Sequence, residues 1–187
     1  LESQETVPSS GWKIEKVSDR KVRDEWKPLW GKRAVVEDHF NELVIDLVNP
    51  AGQPERMQLV VRGYNDGFAF CYKIPDGKGP CVNVQSELTA YNFAGDYTAW
   101  FYNGENHNIG PEKLTETDGT RLPVMTVKAG DKHYMAIHEA CLETGAPLVL
   151  QSKGGNRSFR SLPSRPVCRR DIHQPGVSFC MGRHLAC

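Results

Sequence analysis

Apolar residues recur at every second position from Trp12 to about Gln151, and this alternation constrains the fold more than any other feature of the chain. Side chains of a β-strand point alternately to its two faces, so a period of two indicates strands that are covered on one side. Clusters of Gly, Pro, Asn and Asp interrupt the alternation about every eight to twelve residues. This spacing is typical of an antiparallel all-β domain.

A hairpin is the clearest local prediction, because two alternating segments flank the turn residues 50–53. Their apolar positions are Leu43, Ile45 and Leu47 on the first strand, and Met57, Leu59 and Val61 on the second. Asn65-Asp66-Gly67 predicts a tight turn into a third strand, whose Phe68, Phe70, Tyr72 and Ile74 share one face. Further strands fit residues 81–87, 97–102, 124–128, 132–141 and 148–151.

About nine strands predict a two-sheet β-sandwich, because one open sheet of that width leaves an apolar face in water. Residues 103–121 are polar and contain several glycines, so we expect a long loop there. Acidic side chains such as Glu37, Asp38, Glu42 and Asp46 are expected at strand edges or on solvent faces, the usual place for acids. No apolar run is long enough to predict a membrane span.

The pattern changes after Lys153-Gly154-Gly155, where Arg, Pro and Ser replace the alternating apolar residues. Residues 151–187 contain seven Lys or Arg and one acid, although the whole chain has a net charge of zero. We therefore predict a β-sandwich over residues 1–151 and an irregular or disordered basic tail over residues 152–187. A shifted reading frame or a truncated gene near Gly154 would explain such a tail.

Two binding roles for the tail are weak alternatives to disorder. Its thiols and imidazoles are of the kind that bind zinc, but they lack the closely spaced cysteine pair of a strong zinc motif. They are Cys168, His173, Cys180, His184 and Cys187. The tail also lacks the interleaved aromatic residues or recognisable module of a nucleic-acid-binding segment, so we expect no nucleic-acid partner.

Three stretches carry a resemblance to a known family. They are Trp26 to Arg33 followed by His39 to Leu43, then Val61 to Phe70, and finally Ala136-Ile137-His138-Glu139-Ala140. In order and spacing they resemble the N-terminal domain of the family 97 glycoside hydrolases, the α-glucosidase and α-galactosidase group. The resemblance covers about residues 10 to 150. It implies a mutarotase-like β-sandwich that precedes a catalytic (β/α)₈ barrel in a calcium-dependent enzyme, usually periplasmic or secreted, that acts on α-linked oligosaccharides.

The resemblance assigns one site residue, Glu139, because the matching glutamate of the family reaches from the sandwich to the calcium ion. Calcium binds six to eight oxygen ligands, so its other ligands are expected from the barrel of the same polypeptide. The resemblance implies that the first strands of the family's domain are missing from this chain, and that the tail stands in place of the strands and barrel expected to follow. His138 alternates with Glu139 and is expected on the opposite face, as a core or structural histidine.

No residue of the chain is nominated as catalytic. Glycoside hydrolysis requires two carboxylates about 5 to 9.5 Å apart, and that pair is expected in the barrel, so the chain alone is predicted to be inactive. An alternative function is a free-standing carbohydrate-binding sandwich that uses exposed aromatics such as Trp26, Trp30 and Trp100. A mutarotase-like epimerase is a third hypothesis, and it requires a histidine and an acid across one sheet face.

Overall fold

The computed structural model describes residues 10–52, 55–73, 88–102, 108–141, 147–163 and 179–181. Within these ranges every regular element is a β-strand. The strands are β1 (Lys13–Trp26), β2 (Val36–Val48), β3 (Arg56–Tyr64), β4 (Gly67–Lys73), β5 (Ala90–Asn92), β6 (Thr98–Tyr102), β7 (Asn108–Lys113), β8 (Asp118–Lys128), β9 (Tyr134–Ile137), β10 (Glu139–Cys141), β11 (Leu148–Lys153), β12 (Ser158–Pro163) and β13 (Phe179–Met181). The same residues contain no helix long and apolar enough to span a lipid bilayer.

These strands form two antiparallel sheets, which confirms the predicted β-sandwich class. The first sheet has the order β1-β2-β3-β4-β13-β10, and the second has the order β5-β12-β11-β8-β6-β7, with β9 paired to β8. Among the described residues, hydrogen bonds connect the first sheet to the second sheet and to the residue before it. The Tyr72 hydroxyl lies 3.5 Å from the hydroxyl of Thr89, which precedes β5, and the backbone N–H of Leu148 in β11 donates to Glu139 in β10.

The predicted hairpin and the third strand are confirmed by the register of β2, β3 and β4. Leu43 lies opposite Val61, and Val61 lies opposite Phe70, so the predicted apolar positions do share one face. Asn65 and Asp66 form the two-residue turn between β3 and β4, as their turn chemistry predicts. The predicted strand over residues 81–87 lies outside the described residues, as does Ile74.

That shared face is nevertheless the less buried side of the first sheet. Val60, Ala69 and Cys71 form a small buried cluster on the opposite face, whereas Leu43 is among the exposed large apolar residues. Alternation identifies which residues share a face, but it does not reveal which face is covered. We call this less buried side the first-sheet apolar face; its members are Ile14, Val17, Leu43, Ile45, Leu47, Met57, Leu59 and Val61, of which Ile14, Val17 and Leu43 are exposed and the rest half-buried.

The main hydrophobic core belongs to the second sheet. Its fully or almost fully buried members are Ala99, Phe101, Leu114, Met125, Val127, Leu148, Leu150 and Phe159. Phe159 lies in β12 and contacts Phe101, with ring centroids 5.6 Å apart. A side chain beyond the predicted domain boundary is therefore at the centre of this core.

The structure corrects the predicted boundary at Gln151. β11 continues to Lys153, and β12 returns antiparallel to it with Gln151 opposite Arg160. Gly154 and Gly155 have φ values of 66° and 62°, a left-handed conformation that glycine adopts without steric cost. They form the turn of a hairpin, and the sequence interpretation was wrong because it took this turn for the end of the domain.

Two further differences concern segments with a polar composition. The predicted loop over residues 103–121 is wrong for β7 and for the start of β8, which both pair with neighbouring strands. β1 was not predicted as a strand, because charged residues dominate it and nearly all of it is exposed. β1 is the edge strand of the first sheet, and charges on such an edge oppose pairing with other chains.

Candidate functional site

Glu139, the residue assigned to calcium by the resemblance, begins β10 at the edge of the first sheet. It is partly buried, and its Oε2 accepts a hydrogen bond of 3.2 Å from the backbone N–H of Leu148. This contact joins the beginning of β10 to the beginning of β11, on either side of residues 142–147. The carboxylate is therefore held at a sheet edge and also serves a structural purpose there.

His138 is not the core histidine that the alternation predicts. It lies between β9 and β10, outside both strands, and its side chain is exposed. The predicted continuous strand over residues 132–141 is divided at this position, so the strict alternation of the two side chains does not apply. Within the described part of the chain, no three residues of types His, Cys, Asp and Glu are grouped to hold a metal ion.

A buried ion-pair network joins β1, β2 and β3, at the opposite end of the first sheet from β10. It lies on the face that carries Val60 and its buried cluster. Glu42 in β2 is 5% exposed, and it accepts hydrogen bonds from two guanidinium groups. Arg20 Nε donates to Oε1 at 2.6 Å, and Arg62 Nε donates to Oε2 at 2.7 Å. The prediction that Glu42 lies on a solvent face is therefore wrong. Its charge is compensated on both oxygens, as a buried carboxylate requires.

Aromatic rings complete this network. The Arg62 guanidinium lies 4.4 Å from the centre of the Phe40 ring, which is a favourable arrangement for a cation and a π face. The Phe40 and Tyr64 ring centroids are 5.4 Å apart. Glu42 and Phe40 of β2 thus contact Arg62 directly, and Arg20 of β1 binds the other oxygen of Glu42.

The network determines the protonation of its members. Burial by itself raises the pKa of Glu42, but the hydrogen bonds and positive charges of Arg20 and Arg62 outweigh burial and lower that pKa. Burial lowers the pKa of Arg62, and Glu42 then raises it above its ordinary value overall. The pKa of Tyr64 is raised, first by burial and then by the charge of Asp38, against an opposing hydrogen bond from Arg62.

These shifts suit a supporting role. A general acid of a glycosidase needs a raised carboxyl pKa, whereas Glu42 has a lowered one and stays ionised. The sequence contained a signal for this network: a hairpin that sets Leu43 opposite Val61 also sets Glu42 opposite Arg62. Arg20 could not be found in this way, because β1 was not predicted and its register with β2 was unknown.

The three tryptophans proposed for stacking on sugars differ in exposure. Trp30 is 88% exposed in the connection between β1 and β2, Trp26 is about half exposed at the end of β1, and Trp100 is partly buried in β6. Leu29, next to Trp30, is fully exposed as well. The connection between β1 and β2 is thus an apolar and aromatic tip, with Lys27 beside it.

The described residues thus form a two-sheet β-sandwich with a buried ion-pair network in its first sheet. The sequence profile of the family described as "Glycosyl-hydrolase 97 N-terminal" matches residues 1–167, and the chain belongs to this family of N-terminal domains. The match continues well beyond Gly154, in agreement with the β11–β12 hairpin. It removes the reason for placing a shifted reading frame near Gly154.

Sequence relatives are longer proteins. The chain is 27% identical over 171 residues to a "Probable retaining alpha-galactosidase" of Streptomyces bingchenggensis, covering 90% of the chain and 23% of that protein. It is 29% identical over 159 residues to a "Retaining alpha-galactosidase" of Bacteroides thetaiotaomicron, covering 75% of the chain and 23% of that protein. The chain therefore spans about a quarter of the length of these relatives.

Solved structures show the same fold. A glycoside hydrolase family 97 enzyme from Pseudoalteromonas sp. strain K8, solved in complex with acarbose, superposes with a TM-score of 0.77 at 24% identity. The match covers 92% of this chain and 27% of that enzyme. A β-arabinopyranosidase superposes with a TM-score of 0.74 at 16% identity, covering 91% of this chain and 31% of the other.

Proposed function

We propose that this domain packs against a catalytic (β/α)₈ barrel of the same polypeptide and supplies Glu139 to a calcium site beside the sugar-binding subsite. The position of Glu139 supports this proposal: its carboxylate lies at the outer edge of the first sheet, where Oε2 accepts the backbone N–H of Leu148. A carboxylate is the ligand type that calcium prefers. The barrel supplies the remaining oxygen ligands and the two catalytic carboxylates.

The first-sheet apolar face gives independent support for a packing partner. Ile14 is 65% exposed and Val17 is 52% exposed, and they lie opposite the half-buried Leu47 and Ile45 of β2. Exposed apolar residues that share one face of a sheet are typical of an interaction surface. In the proposed enzyme this face, or the aromatic tip at Trp30, is covered by the rest of the polypeptide.

The substrate proposal rests on the named activities of the relatives. Two of them are called α-galactosidases, and the Pseudoalteromonas enzyme was solved with acarbose and, as a variant, with panose. We infer that the complete protein hydrolyses an α-linked oligosaccharide. The calcium requirement and a periplasmic or secreted location belong to the same proposal.

Calcium titration calorimetry on the polypeptide that continues this chain into its barrel tests the role of Glu139. Glu139→Gln removes the charge and keeps an oxygen that accepts the Leu148 hydrogen bond, so we expect calcium affinity to fall at least about tenfold, as for loss of a carboxylate ligand. Glu116→Gln is the matched control, because Glu116 Oε2 also accepts a backbone N–H, that of Lys113 at 3.3 Å. Equal calcium affinity in the two variants would exclude Glu139 from the site.

A free-standing carbohydrate-binding sandwich is the second candidate, and the exposure of Trp30 favours it. Aromatic rings exposed on a β-sandwich can stack on the apolar face of a pyranose, as other amphipathic ligands do on such surfaces. Calorimetry of residues 1–187 with maltose-type oligosaccharides separates the two candidates. Binding that is lost in Trp30→Ala and kept in Trp100→Ala supports the free-standing module. Absence of measurable oligosaccharide binding by the unmodified chain supports dependence on the barrel.

A further inference from the structure

The hairpin of β11 and β12 has two chemically different faces. Its inner side chains alternate along both strands and are almost fully buried; they are Leu150, Ser152, Phe159 and Ser161. The side chains between them point to the opposite side, which is the outer face of the second sheet. Those that line a cavity on this outer face are all polar, so the hairpin presents a hydrophilic surface near its turn.

The cavity has a volume of about 130 Å³. It is lined by Gln151, Lys153, Asn156, Ser158 and Arg160. Gln151 lies opposite Arg160, and Lys153 and Ser158 are each two residues nearer to the turn, so these four side chains share one face. Pockets for drug-sized ligands have volumes of roughly 300 to 1,000 Å³, so this smaller cavity fits a single small group.

The cavity contains two cations that are not ion-paired. Among the described residues, no ion pair or side-chain hydrogen bond involves Lys153 or Arg160. The register sets one acid beside them, Asp118 of β8, opposite Lys153. Its Oδ1 accepts the backbone N–H of Gly119 at 2.9 Å. Two cations beside one carboxylate leave an excess of positive charge, which attracts anions.

Neutral side chains complete the cavity. Asn156 is its wall next to the turn: Oδ1 accepts the backbone N–H of Ser158 at 2.8 Å, and Nδ2 donates to the Gly154 carbonyl at 3.0 Å. These two hydrogen bonds hold the end of the hairpin in one conformation. The Ser158 hydroxyl and the Gln151 amide are further donors that line the same space. A ligand in the cavity therefore meets donors from both strands.

We propose that this cavity binds a tetrahedral oxyanion, such as a phosphate or sulfate group. One guanidinium satisfies both oxygens of a planar carboxylate, whereas a tetrahedral group presents three or four oxygens in different directions. The donors that surround the cavity match the second kind of ligand. Lys153 and Arg160 supply the charge-assisted hydrogen bonds, and Ser158 and Gln151 orient the anion. This site is independent of the proposed calcium site and of the barrel.

Titration of the isotope-labelled chain, residues 1–187, with sodium phosphate at constant ionic strength tests the proposal. Backbone amide shifts in heteronuclear NMR report binding at each strand. We expect saturable shifts in the β11–β12 hairpin with a Kd of about 1 to 10 mM, as for a small ion held by exposed cations. Sodium acetate should bind at least about threefold more weakly, because it offers only two oxygens. Unshifted hairpin amides at saturating phosphate, or equal binding of acetate, would overturn the proposal.

Charge-removing variants provide the second readout. Arg160→Gln and Lys153→Gln should each weaken phosphate binding at least about threefold. Arg157→Gln is the matched control, because Arg157 belongs to the same hairpin but lies outside the cavity lining, and its guanidinium donates to the Ala94 carbonyl. We expect this control to bind phosphate within about twofold of the unmodified chain, since salt screens charges that do not contact the ion.

An equal loss in Arg157→Gln and Arg160→Gln would show a general attraction to positive charge and would contradict a defined site. All three positions are exposed, and a dispersed amide spectrum verifies that each variant is folded.

Two sources provide a tetrahedral oxyanion: the free ion and an ester on a sugar. Titration with glucose 6-phosphate distinguishes them. An affinity at least about threefold higher than that for phosphate identifies a sugar ester as the ligand, and equal affinity identifies the free ion. Both results support the site if Arg160→Gln weakens binding. Binding of glucose 6-phosphate that leaves the hairpin amides unshifted would count against it.

Discussion

The two sheets of this domain are stabilised in different ways. Among the described residues, the buried apolar cluster of the second sheet has eight members, whereas that of the first sheet has three, beside a carboxylate bound by two guanidinium groups. The first-sheet apolar face also includes three exposed aliphatic residues, Ile14, Val17 and Leu43. The difference indicates that the second sheet contributes most of the buried core, and the exposed apolar residues of the first sheet agree with the proposed packing partner.

The largest expected effect is the loss of a core ring from the second sheet. Phe159→Ala removes a fully buried side chain that contacts Phe93 and Phe101, and we expect the free energy of unfolding to fall by about 3 to 5 kcal/mol in urea denaturation. Phe68→Ala in β4 is the control, because Phe68 is 68% exposed, and a loss below about 1 kcal/mol is expected there. Similar losses at the two positions would remove the contrast between the sheets.

The next effect concerns the ion-pair network of the first sheet. Glu42→Gln leaves Arg62, which is 13% exposed, without its compensating charge, and we expect a loss of about 1.5 to 3 kcal/mol of unfolding free energy. This expected loss is smaller than for a fully buried ion pair, because the other partner, Arg20, is 62% exposed and solvent screens its charge. Glu37→Gln, at a glutamate that is 71% exposed, should change stability by less than about 0.5 kcal/mol. A loss at Glu42 as small as at Glu37 would show that the network does not stabilise the sheet.

Low pH should abolish the stabilisation that the ionised Glu42 carboxylate provides. Because the pKa of Glu42 is lower in the folded than in the unfolded protein, its stabilisation is complete above the ordinary glutamate value of about 4.3 and is lost as pH falls through the folded value. Urea midpoints measured between about pH 7 and pH 3 should therefore converge for the unmodified chain and Glu42→Gln at the acidic end. A constant gap over the whole range would mean that the loss at Glu42 is steric rather than electrostatic.

The smallest expected effect is on self-association through the first-sheet apolar face. Val17→Lys places a charge on this face, so sedimentation should find more monomer, with a change in unfolding free energy below about 0.5 kcal/mol. Ser18→Lys adds the same charge to the other face of β1 and is the matched control, since Ser18 is exposed opposite Val44. An equal gain of monomer in both variants would attribute the effect to net charge and not to the apolar face.

The sequence predicted the fold class and the β2–β3–β4 meander, because alternation and the Asn65-Asp66 turn are local signals. It failed where a local signal has two meanings. The pair Gly154-Gly155 lies in a hairpin turn but was interpreted as the end of the domain. β1 was not predicted because its backbone hydrogen bonds do not require an apolar sequence at the sheet edge. Likewise, the contacts of Arg20 with Glu42 depend on a register that only the assembled sheet defines.

Glu139 shows the same limit for the site. The resemblance to the family predicts its calcium role, which stays a prediction, and the structure adds its position at the sheet edge and its hydrogen bond with Leu148. The alternation that predicted a buried His138 on the opposite face was wrong, because the strand is divided at that residue. Side-chain positions at strand breaks require the tertiary structure, since the period of two holds only within one regular strand.

The most direct test of the account is a comparison of calcium binding by residues 1–187 alone and by the polypeptide that continues into the barrel. We expect calorimetry to detect no calcium binding by the isolated chain at up to millimolar calcium, since one carboxylate cannot supply six to eight oxygen ligands. The longer polypeptide should bind calcium tightly, with a single site. Tight binding by the isolated chain, or its absence in both proteins, would contradict a calcium site shared between this domain and the barrel.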